Sequence, residues 1–371
     1  MKAIAVLILL MLCMRVLWVP INIVNLIPFV KKAFPFVLFV IFLGCFACKK
    51  KQRPKVEPIS PDVYVSILNT GLPYAQYWKN GEIIDLSTPN SFPHARAIFG
   101  VGKDLYVVGQ ASLRNDLYAT IVGQYWKNGI VANVESSISA KELVDIVVSD
   151  RNVYIAGSGR NSMKNIEATY WKNGVAVRLD EADQRPSEAR GIFVAGNDVY
   201  IAGSLTREND VAVYWKNGAV VNLGDPGRTS HASSIAVSGK DVFVAGSENV
   251  NFYARARYWK NGVGTFLTDG SEYGSVVKDI AVSGSDVYCV GNVLYSDNTS
   301  AAVLWKNGMP QILPMGVSAS SIFVFNNDVY VAGEGFESPL RFALYWKNGV
   351  PVKLTSGSKG ASASSIFVKN P

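Results

Sequence analysis

A five-residue motif repeats along this sequence and constrains the fold more than any other feature. Tyr-Trp-Lys-Asn-Gly occurs six times, and a seventh copy begins with Leu in place of Tyr. The copies start at Tyr77, Tyr125, Tyr170, Tyr214, Tyr258, Leu304 and Tyr345. Successive tryptophans of the motif are 41 to 48 residues apart. A period of this length predicts a repeat architecture in which each copy marks one structural unit.

Each repeat contains four short apolar segments of strand length. In residues 190–223 they read GIFV, DVYIAG, AVYWK and AVVNL, with Gly, Asn or Asp in the intervening turns. Val, Ile, Phe, Tyr and Trp are the residues that strands favour. No segment keeps the apolar period of a helix over ten residues. The sequence therefore predicts an all-β fold, a seven-bladed β-propeller with four antiparallel strands per blade.

The repeats begin and end in the middle of a unit. Residues 61–68 read as a second strand with no first strand before it, and residues 361–371 read as a first strand with none after it. When the two are counted together, each segment occurs seven times. We therefore expect the C-terminal strand to pair into the first blade and close the ring, which removes the open sheet edges.

The repeated motif itself reads best as a structural joint. Asn-Gly is the preferred pair for a two-residue type I′ turn, because both positions need positive φ. Tyr and Trp point to opposite faces of the strand before this turn, so both can be buried between blades. We expect the Lys to lie at the exposed end of that strand. The alternative is a ring of seven lysines that meets an anionic surface.

An aspartate or asparagine also recurs, at the start of the second segment of each repeat. The positions are Asp62, Asp104, Asn152, Asp198, Asp241, Asp286 and Asp328. Seven such side chains could suggest a metal array. Each, however, follows a turn, where Asp and Asn bond nearby backbone N–H groups, so we expect them to cap those turns.

The net charge of +7 belongs to the N-terminal segment. Residues 1–60 hold nine Lys or Arg and one acidic residue, whereas residues 61–371 hold 27 basic and 28 acidic residues. A nucleic-acid-binding domain usually shows a basic face, so no nucleic-acid partner is expected. Cys289 is the one cysteine of residues 61–371, which excludes a disulfide scaffold and suggests a small buried apolar residue.

The N-terminal segment resembles a bacterial export signal. Residues 33–48 form a short apolar run between Lys31–Lys32 and a basic stretch that begins at Lys49. Gly precedes Cys45 and Ala precedes Cys48, which resembles a lipoprotein box. We predict lipidation at Cys45, with Cys48 as the alternative, and a plain membrane anchor with unmodified cysteines stays open. Residues 1–30 read as an apolar extension or extra membrane segment, 31–48 as the signal and 49–60 as a basic tether.

The repeats and the lipoprotein box together resemble the WKNG-repeat β-propeller lipoproteins of Gram-negative bacteria. The resemblance covers residues 61–371 and the box. It implies a propeller exported to the cell envelope, an outer-membrane lipoprotein facing the periplasm or the cell surface. It implies no particular ligand, because fold does not imply function.

Candidate binding residues come from the start of the first segment in each repeat, which should form the innermost strand and ring the mouth of a central channel. Variable loops on a rigid frame commonly carry binding residues, so we place the site on this loop face. The candidates are His94, Arg96, Glu142, Asp145, Glu188, Arg190, His231, Lys278 and Asp279. His94 and His231 share one repeat offset but lie three blades apart, too far for one zinc ion.

The sequence favours a non-enzymatic binding module for a glycan or protein, a monomeric domain with no cofactor and a lipid anchor in the membrane. Aromatic residues in the loops suit stacking on sugars, namely Tyr74, Phe92, Tyr253, Tyr273, Tyr295 and Phe336. One alternative is a hydrolase or lyase that uses charges at the channel mouth, although no nucleophile–base pair or metal-ligand spacing supports it. Another is a structural component of an envelope assembly.

Overall fold

Strands dominate the part of the chain that the structure describes. The computed structural model describes residues 60–69, 74–87, 91–115, 118–132, 134, 142–160, 165–179, 185–356 and 360–371. All of them lie in one unit, Ile59–Pro371. Within them, 28 strands form seven four-stranded antiparallel sheets, the predicted seven blades.

The blades are numbered here in chain order. Blade 1 holds β1 (Asp62–Asn69), β2 (Gln76–Lys79), β3 (Glu82–Asp85) and β28 (Ala361–Lys369). Blade 2 holds β4 (Ser91–Val101), β5 (Asp104–Asn115), β6 (Tyr118–Lys127) and β7 (Ile130–Ala132). Blade 3 holds β8 (Glu142–Ser149), β9 (Asn152–Arg160), β10 (Ile166–Lys172) and β11 (Val175–Arg178). Blade 4 holds β12 (Ser187–Ala195), β13 (Asp198–Thr206), β14 (Asp210–Lys216) and β15 (Ala219–Asn222).

The remaining three blades follow the same order. Blade 5 holds β16 (Ser230–Ser238), β17 (Asp241–Val250), β18 (Tyr253–Lys260) and β19 (Val263–Phe266). Blade 6 holds β20 (Gly274–Ser283), β21 (Asp286–Leu294), β22 (Ser300–Lys306) and β23 (Met309–Ile312). Blade 7 holds β24 (Gly316–Phe325), β25 (Asp328–Glu337), β26 (Leu340–Lys347) and β27 (Val350–Lys353).

The ring closes through the C-terminal strand, which confirms the prediction. β28 pairs antiparallel with β1, from Asp62 opposite Lys369 to Asn69 opposite Ala361. It thereby supplies the inner strand of blade 1, the place that β4, β8 and their equivalents take in the other blades. Blade 1 is thus built from two segments about 300 residues apart in sequence.

Seven apolar clusters fill the seven interfaces between adjacent blades. In blade 4, Trp215 packs against blade 3 beside Tyr154 and Ala156. Tyr214, its neighbour in sequence, packs toward Trp259 of blade 5. The two aromatics of the motif therefore contact opposite neighbours, as their alternation along the strand predicts. Six of the seven motif tryptophans are fully buried, and Trp78 of blade 1 is half-buried.

The Asn-Gly turn has positive φ at both residues, as predicted, and its asparagine side chain also bonds the second strand of the blade. In blade 4, Asn217 and Gly218 have φ of 50° and 86°. The Asn217 Oδ1 atom accepts from the Val199 N–H at 2.9 Å, and its Nδ2 donates to Asp198 Oδ1 at 2.8 Å. The same two bonds recur in the other six blades. Asparagine is thus needed for its side chain as well as for its φ.

The expectation that the recurring aspartates cap their own turns is wrong. Asp198 instead accepts from Asn217 and pairs with Lys216 Nζ at 2.8 Å, across two strands of the blade. Five further blades repeat the ion pair at 2.7 to 3.3 Å. The hydrogen bond from Lys216 lowers the pKa of Asp198, so the pair stabilises the fold above pH ~4 and is lost as the pH falls below that.

These ion pairs also bear on the lysine-ring alternative. Six of the seven motif lysines have an aspartate partner, so they do not form a ring of free cations. Blade 3 differs, because Asn152 replaces the aspartate and Lys172 lies over the ring of Tyr154 at 5.3 Å. The motif is therefore a structural joint that includes its lysine.

The predictions for the apolar extension (residues 1–30), the signal (31–48, with Cys45 and Cys48) and the tether (49–60) lie outside the described residues, which begin at residue 60, the last of the tether. In the described part of the chain, no helix is long and apolar enough to cross a membrane. Cys289 is buried in the interface of blades 5 and 6, where burial raises the pKa of its thiol.

Candidate functional site

All seven inner strands carry a β-bulge at one repeat position. In β4, for example, Ala95 pairs with Gly109 and Ala97 with Val108, which leaves Arg96 between them as an extra residue. The bulged residues of blades 1 to 7 are Ser364, Arg96, Val144, Arg190, Ser233, Lys278 and Ser320. Bulges re-aim side chains, and these seven all line one cavity on the channel axis.

Glycine on the adjacent strand permits this bulge in six blades. A Cβ atom on Gly246 would lie 1.9 Å from the His231 carbonyl oxygen, and the equivalent glycines show contacts of 1.8 to 2.2 Å. The six positions are Gly109, Gly157, Gly203, Gly246, Gly291 and Gly333. Blade 1 departs from this pattern and has Ile67 at that place. In those six blades the close approach of a backbone carbonyl explains the glycine, whereas blade 1 forms its bulge with Ile67.

A second ring lies one residue further along each inner strand, and it ties the blades together around the axis. Asp145 of blade 3 accepts the N–H of Ile192 in blade 4 at 2.9 Å. Asp279 of blade 6 accepts the N–H of Ile322 in blade 7 at 2.8 Å. Serines make the equivalent, longer bonds from blade 7 to blade 1 and from blade 1 to blade 2. The ring thus satisfies backbone donors that face the channel.

The two rings together form a polar cavity of about 120 Å³, which we call the mouth cup. Its rim is the seven bulged residues, and its floor includes Asp145, Ser234, Asp279, Ser321 and Ser365. The same five floor residues also line a larger cavity of about 330 Å³ further along the channel. That second cavity is walled mainly by the Ile and Phe residues of the inner strands. The channel is therefore polar toward the loop face and apolar beyond it.

Three of the predicted site residues are cations on the rim. Arg96 pairs with Glu142 at 2.5 Å across the interface of blades 2 and 3. Arg190 pairs with Glu188 of its own strand at 2.6 Å. Lys278 Nζ donates to Ser318 Oγ at 2.7 Å, and packing of the strands around it lowers the pKa of its ammonium group. The structure thus brings Arg96, Arg190 and Lys278 together, with Glu142 and Glu188 behind the arginines.

Asp145 and Asp279 are on the floor of the cup rather than among the residues of its rim. Burial raises the pKa of Asp145 to about 7, and the negative charge of Asp279 contributes to the rise. The hydrogen bond that Asp145 accepts from the Ile192 N–H acts in the opposite direction and lowers the pKa. Burial likewise raises the pKa of Asp279, which also accepts from Ser234 Oγ at 2.6 Å. Both residues are partly open to the lumen. They are hydrogen-bond acceptors that water or a ligand can reach.

The raised pKa of Asp145 predicts a pH dependence of stability. Between pH about 4 and about 7 the folded chain keeps a proton that the unfolded chain has lost, so stability falls as pH rises through this window. Asp145→Ser, which copies the serines of blades 1, 5 and 7, should reduce the slope by up to about 1.4 kcal/mol per pH unit. Thermal unfolding from pH 4 to 8 measures it. Asp85→Ser, on an exposed strand, is the control, and an unchanged slope in Asp145→Ser would contradict the reading.

The two histidines lie beside the cup and not in it. Burial and the nearby charge of Arg96 lower the pKa of His94. His231 Nε2 lies 3.8 Å from Asp210 Oδ2. Among the described residues no group of three or more metal-ligating side chains is present. The two histidines belong to blades 2 and 5, three blades apart as predicted.

The bulges and one exposed aromatic residue were not among the features predicted from the sequence. The signal for the bulges was present, because a glycine recurs in the second segment of six repeats. Phe252 was also missed: it is fully exposed with φ of 72° in the turn between β17 and β18. Next to it, the rings of Tyr253 and Tyr273 contact each other at a tilt of 51°, with centroids 4.6 Å apart. Of the other loop aromatics, Tyr74 and Phe336 are exposed and Tyr295 packs on the core of blades 5 and 6.

Comparison with known proteins places this chain by fold alone. No known protein family matches the sequence, and no curated protein does. Among solved structures, a puromycin-hydrolysing peptidase from Mycobacterium tuberculosis has a TM-score of 0.51 at 9% identity, covering 81% of this chain and 54% of the peptidase. This chain therefore spans about half the length of that enzyme.

Two further solved structures are similar at lower scores. A TolB candidate from Agrobacterium tumefaciens has a TM-score of 0.41 at 12% identity, covering 84% of this chain and 98% of that one. A thermostable family-43 glycoside hydrolase has a TM-score of 0.38 at 10% identity, covering 60% and 93%. The blades and their closure define the chain as a seven-bladed β-propeller.

Proposed function

We propose that this protein is an exported, lipid-anchored propeller that acts as a non-enzymatic binding module. Its ligand site is the mouth cup and the surrounding loop face, and its ligand is a glycan or protein. The anchor is the lipidated Cys45, with Cys48 as the alternative. The location is the cell envelope, as an outer-membrane lipoprotein.

The observation that carries the proposal is the contrast between a repeated frame and a varied mouth. The two hydrogen bonds of the motif asparagine are the same in all seven blades, and the Lys–Asp ion pair is the same in six. The bulges that point into the cup are also built alike, yet they present Ser, Arg, Val, Arg, Ser, Lys and Ser in turn. A frame that holds unlike side chains around one axis is suited to recognising an asymmetric ligand.

The dimensions favour the end of a glycan over a protein surface at the cup itself. About 120 Å³ accommodates a small group rather than a protein loop. Exposed tyrosines such as Tyr253 and Tyr273 provide flat rings further out on the loops, where sugars could stack.

A hydrolase or lyase is the second candidate, and one observation favours it. A carboxyl group with a pKa of about 7, such as that of Asp145, has the property that general acids and bases need. Both oxygens of Asp145, however, already accept backbone N–H groups. Release of reducing ends from a bound glycan would establish this candidate, and binding without turnover would support the module.

A glycan array probed with the full chain tests the binding proposal. We expect retention of a restricted set of glycans, and loss of that retention in the triple variant Arg96→Gln, Arg190→Gln, Lys278→Gln. The control carries Lys216→Gln, Lys260→Gln and Lys306→Gln, the same change of charge at the joints. Retention of no glycan, or equal loss in both variants, would contradict a glycan site at the mouth.

For the anchor, labelled palmitate should enter the chain and fail to enter the Cys45→Ser, Cys48→Ser double variant.

A further inference from the structure

The mouth cup combines a cationic rim with an acceptor-rich floor, and this pairing points to one ligand chemistry. We propose that the cup binds a sugar acid, a pyranose that carries a carboxylate such as a uronic acid, either free or at the end of a glycan. The inference rests on the proposed binding function and names its ligand class. The carboxylate would lie among Arg96, Arg190 and Lys278, with the hydroxyls toward the floor.

The three rim cations are spread around the channel axis. Arg96 belongs to blade 2, Arg190 to blade 4 and Lys278 to blade 6. One blade with a neutral rim residue separates Arg190 from each of the other two cations, and two such blades separate Lys278 from Arg96. The other rim residues are three serines and one valine, and none is acidic. An anionic group on the axis can therefore be approached by donors from several sides.

Lys278 is the rim cation that has no ion pair among the described residues. Glu142 and Glu188 pair with the two arginines, whereas Lys278 Nζ bonds the hydroxyl of Ser318 and lies within the longer-range field of Glu334. Its side chain is open to the lumen, so an incoming anion can reach its ammonium group. A bound carboxylate would form a charge-assisted hydrogen bond there.

The floor accounts for the hydroxyls. Each oxygen of Asp145 accepts one backbone N–H group, whereas Asp279 Oδ1 accepts from Ser234 and Ile280 and its Oδ2 accepts from Ile322. A carboxylate oxygen can accept two hydrogen bonds, so both oxygens of Asp145 and Oδ2 of Asp279 can take a further donor from the lumen. These carboxylates oppose a simple anion such as phosphate, which has no hydroxyls to donate beyond its own acidic ones. A neutral sugar, in turn, offers no counter-charge to Lys278. A molecule with a carboxylate at one end and hydroxyls at the other satisfies both.

The size of the channel agrees with one pyranose ring. The cup of about 120 Å³ opens through its floor into the cavity of about 330 Å³. The second cavity is lined by Ile98, Ile146, Ile192 and the equivalent residues of the other blades. The polar zone therefore ends at the floor of the cup, which leaves room for a single sugar. Further sugars of a glycan would have to extend outward, over the loop face.

Calorimetric titration of the full chain in detergent, at low salt, tests the proposal with glucuronate as the probe. Glucose lacks the carboxylate and acetate lacks the hydroxyls, so we expect both to bind at least ten-fold more weakly than glucuronate. Lys278→Gln should weaken glucuronate binding about ten- to a hundred-fold. Lys240→Gln, in the turn of blade 5 on the opposite face, removes the same charge and should leave the affinity unchanged.

Four results would separate the possibilities. Equal affinity for glucuronate and glucose, or equal effects of Lys278→Gln and Lys240→Gln, would overturn the sugar-acid proposal. Glycans bound on the array with no uronic acid among them, and no heat with glucuronate, would overturn it while the binding function stands. No ligand in either experiment would overturn both. An oligosaccharide that ends in glucuronate, if it binds more tightly than free glucuronate, supports the proposal and identifies the source as a glycan end.

Discussion

Removal of residues 361–371 is expected to abolish cooperative folding of the propeller, although it deletes only a terminal strand. β28 gives Ile366 and Val368 to the interface of blades 7 and 1, and Phe367 to the interface of blades 1 and 2. The Phe367 ring also contacts Phe99 and Phe323 at 5.3 and 5.1 Å between ring centroids. One strand thus holds three blades together.

The expected size of the effect follows from those three side chains. Loss of a buried Ile, Val or Phe costs about 1 to 5 kcal/mol each. Their sum approaches the whole stability of a typical domain, about 5 to 15 kcal/mol. The edge of β1 would also lose its partner along its length and be free to pair with other chains. We expect no cooperative thermal transition, and aggregation in size-exclusion chromatography.

A variant in which the C-terminal strand is moved to the front of β1 provides the more specific test. Lys369 lies opposite Asp62, so residues 361–369 can be moved in front of Asp62 through a two-residue turn, as in the hairpins of the other blades. This graft should restore a cooperative transition near that of the parent. Removal of Asn370 and Pro371 alone, both exposed and outside the strand, should change little. A deletion variant that melts like the parent would show that β28 does not close the ring.

The fold could be predicted because the structure of each blade depends on residues that are close in sequence. Asn217 and Gly218 predict a type I′ turn by residue type alone, and the number and spacing of the motif tryptophans predict the number of blades. The partner of Asp198 could not be predicted in this way. Its side chain bonds Lys216 and Asn217, which are 18 and 19 residues away in sequence, and only strand register brings them together. Local propensity therefore favoured the wrong partner, the adjacent turn.

The candidate site was predictable in position but not in arrangement. The repeat offset placed Arg96, Arg190 and Lys278 near the channel, and the structure puts them on one rim. The bulge decides which side chains face the lumen, because one extra residue reverses the alternation along the strand. Because of the bulge, two consecutive residues of each inner strand face the lumen, the first on the rim and the second on the floor. Arg96 is therefore a rim residue and Asp145 a floor residue. A strict two-residue alternation would place only one of two consecutive residues in the lumen.

Trp215→Ala is expected to cost about 3 to 5 kcal/mol of unfolding free energy, the second large effect. The indole is fully buried between blades 3 and 4, beside Tyr154, Ala156 and Ile201, and blades on both sides constrain how far the cavity can collapse. Trp78 takes the same place in blade 1 but is only partly buried, so Trp78→Ala should cost less. Chemical unfolding curves of the two variants measure the difference.

Phenylalanine at two equivalent positions separates packing from hydrogen bonding. The buried Nε1 of Trp215 has no acceptor among the described residues, whereas Nε1 of Trp346 donates to the Pro314 carbonyl at 2.8 Å. Trp215→Phe removes an unsatisfied donor together with part of the ring, and Trp346→Phe breaks a bond as well. Trp346→Phe should therefore be the more costly of the two by about 1 kcal/mol. Equal costs of Trp215→Phe and Trp346→Phe would mean that the hydrogen bond to Pro314 contributes nothing to stability. Equal costs of Trp215→Ala and Trp78→Ala would mean that burial between blades does not set the stability of the ring.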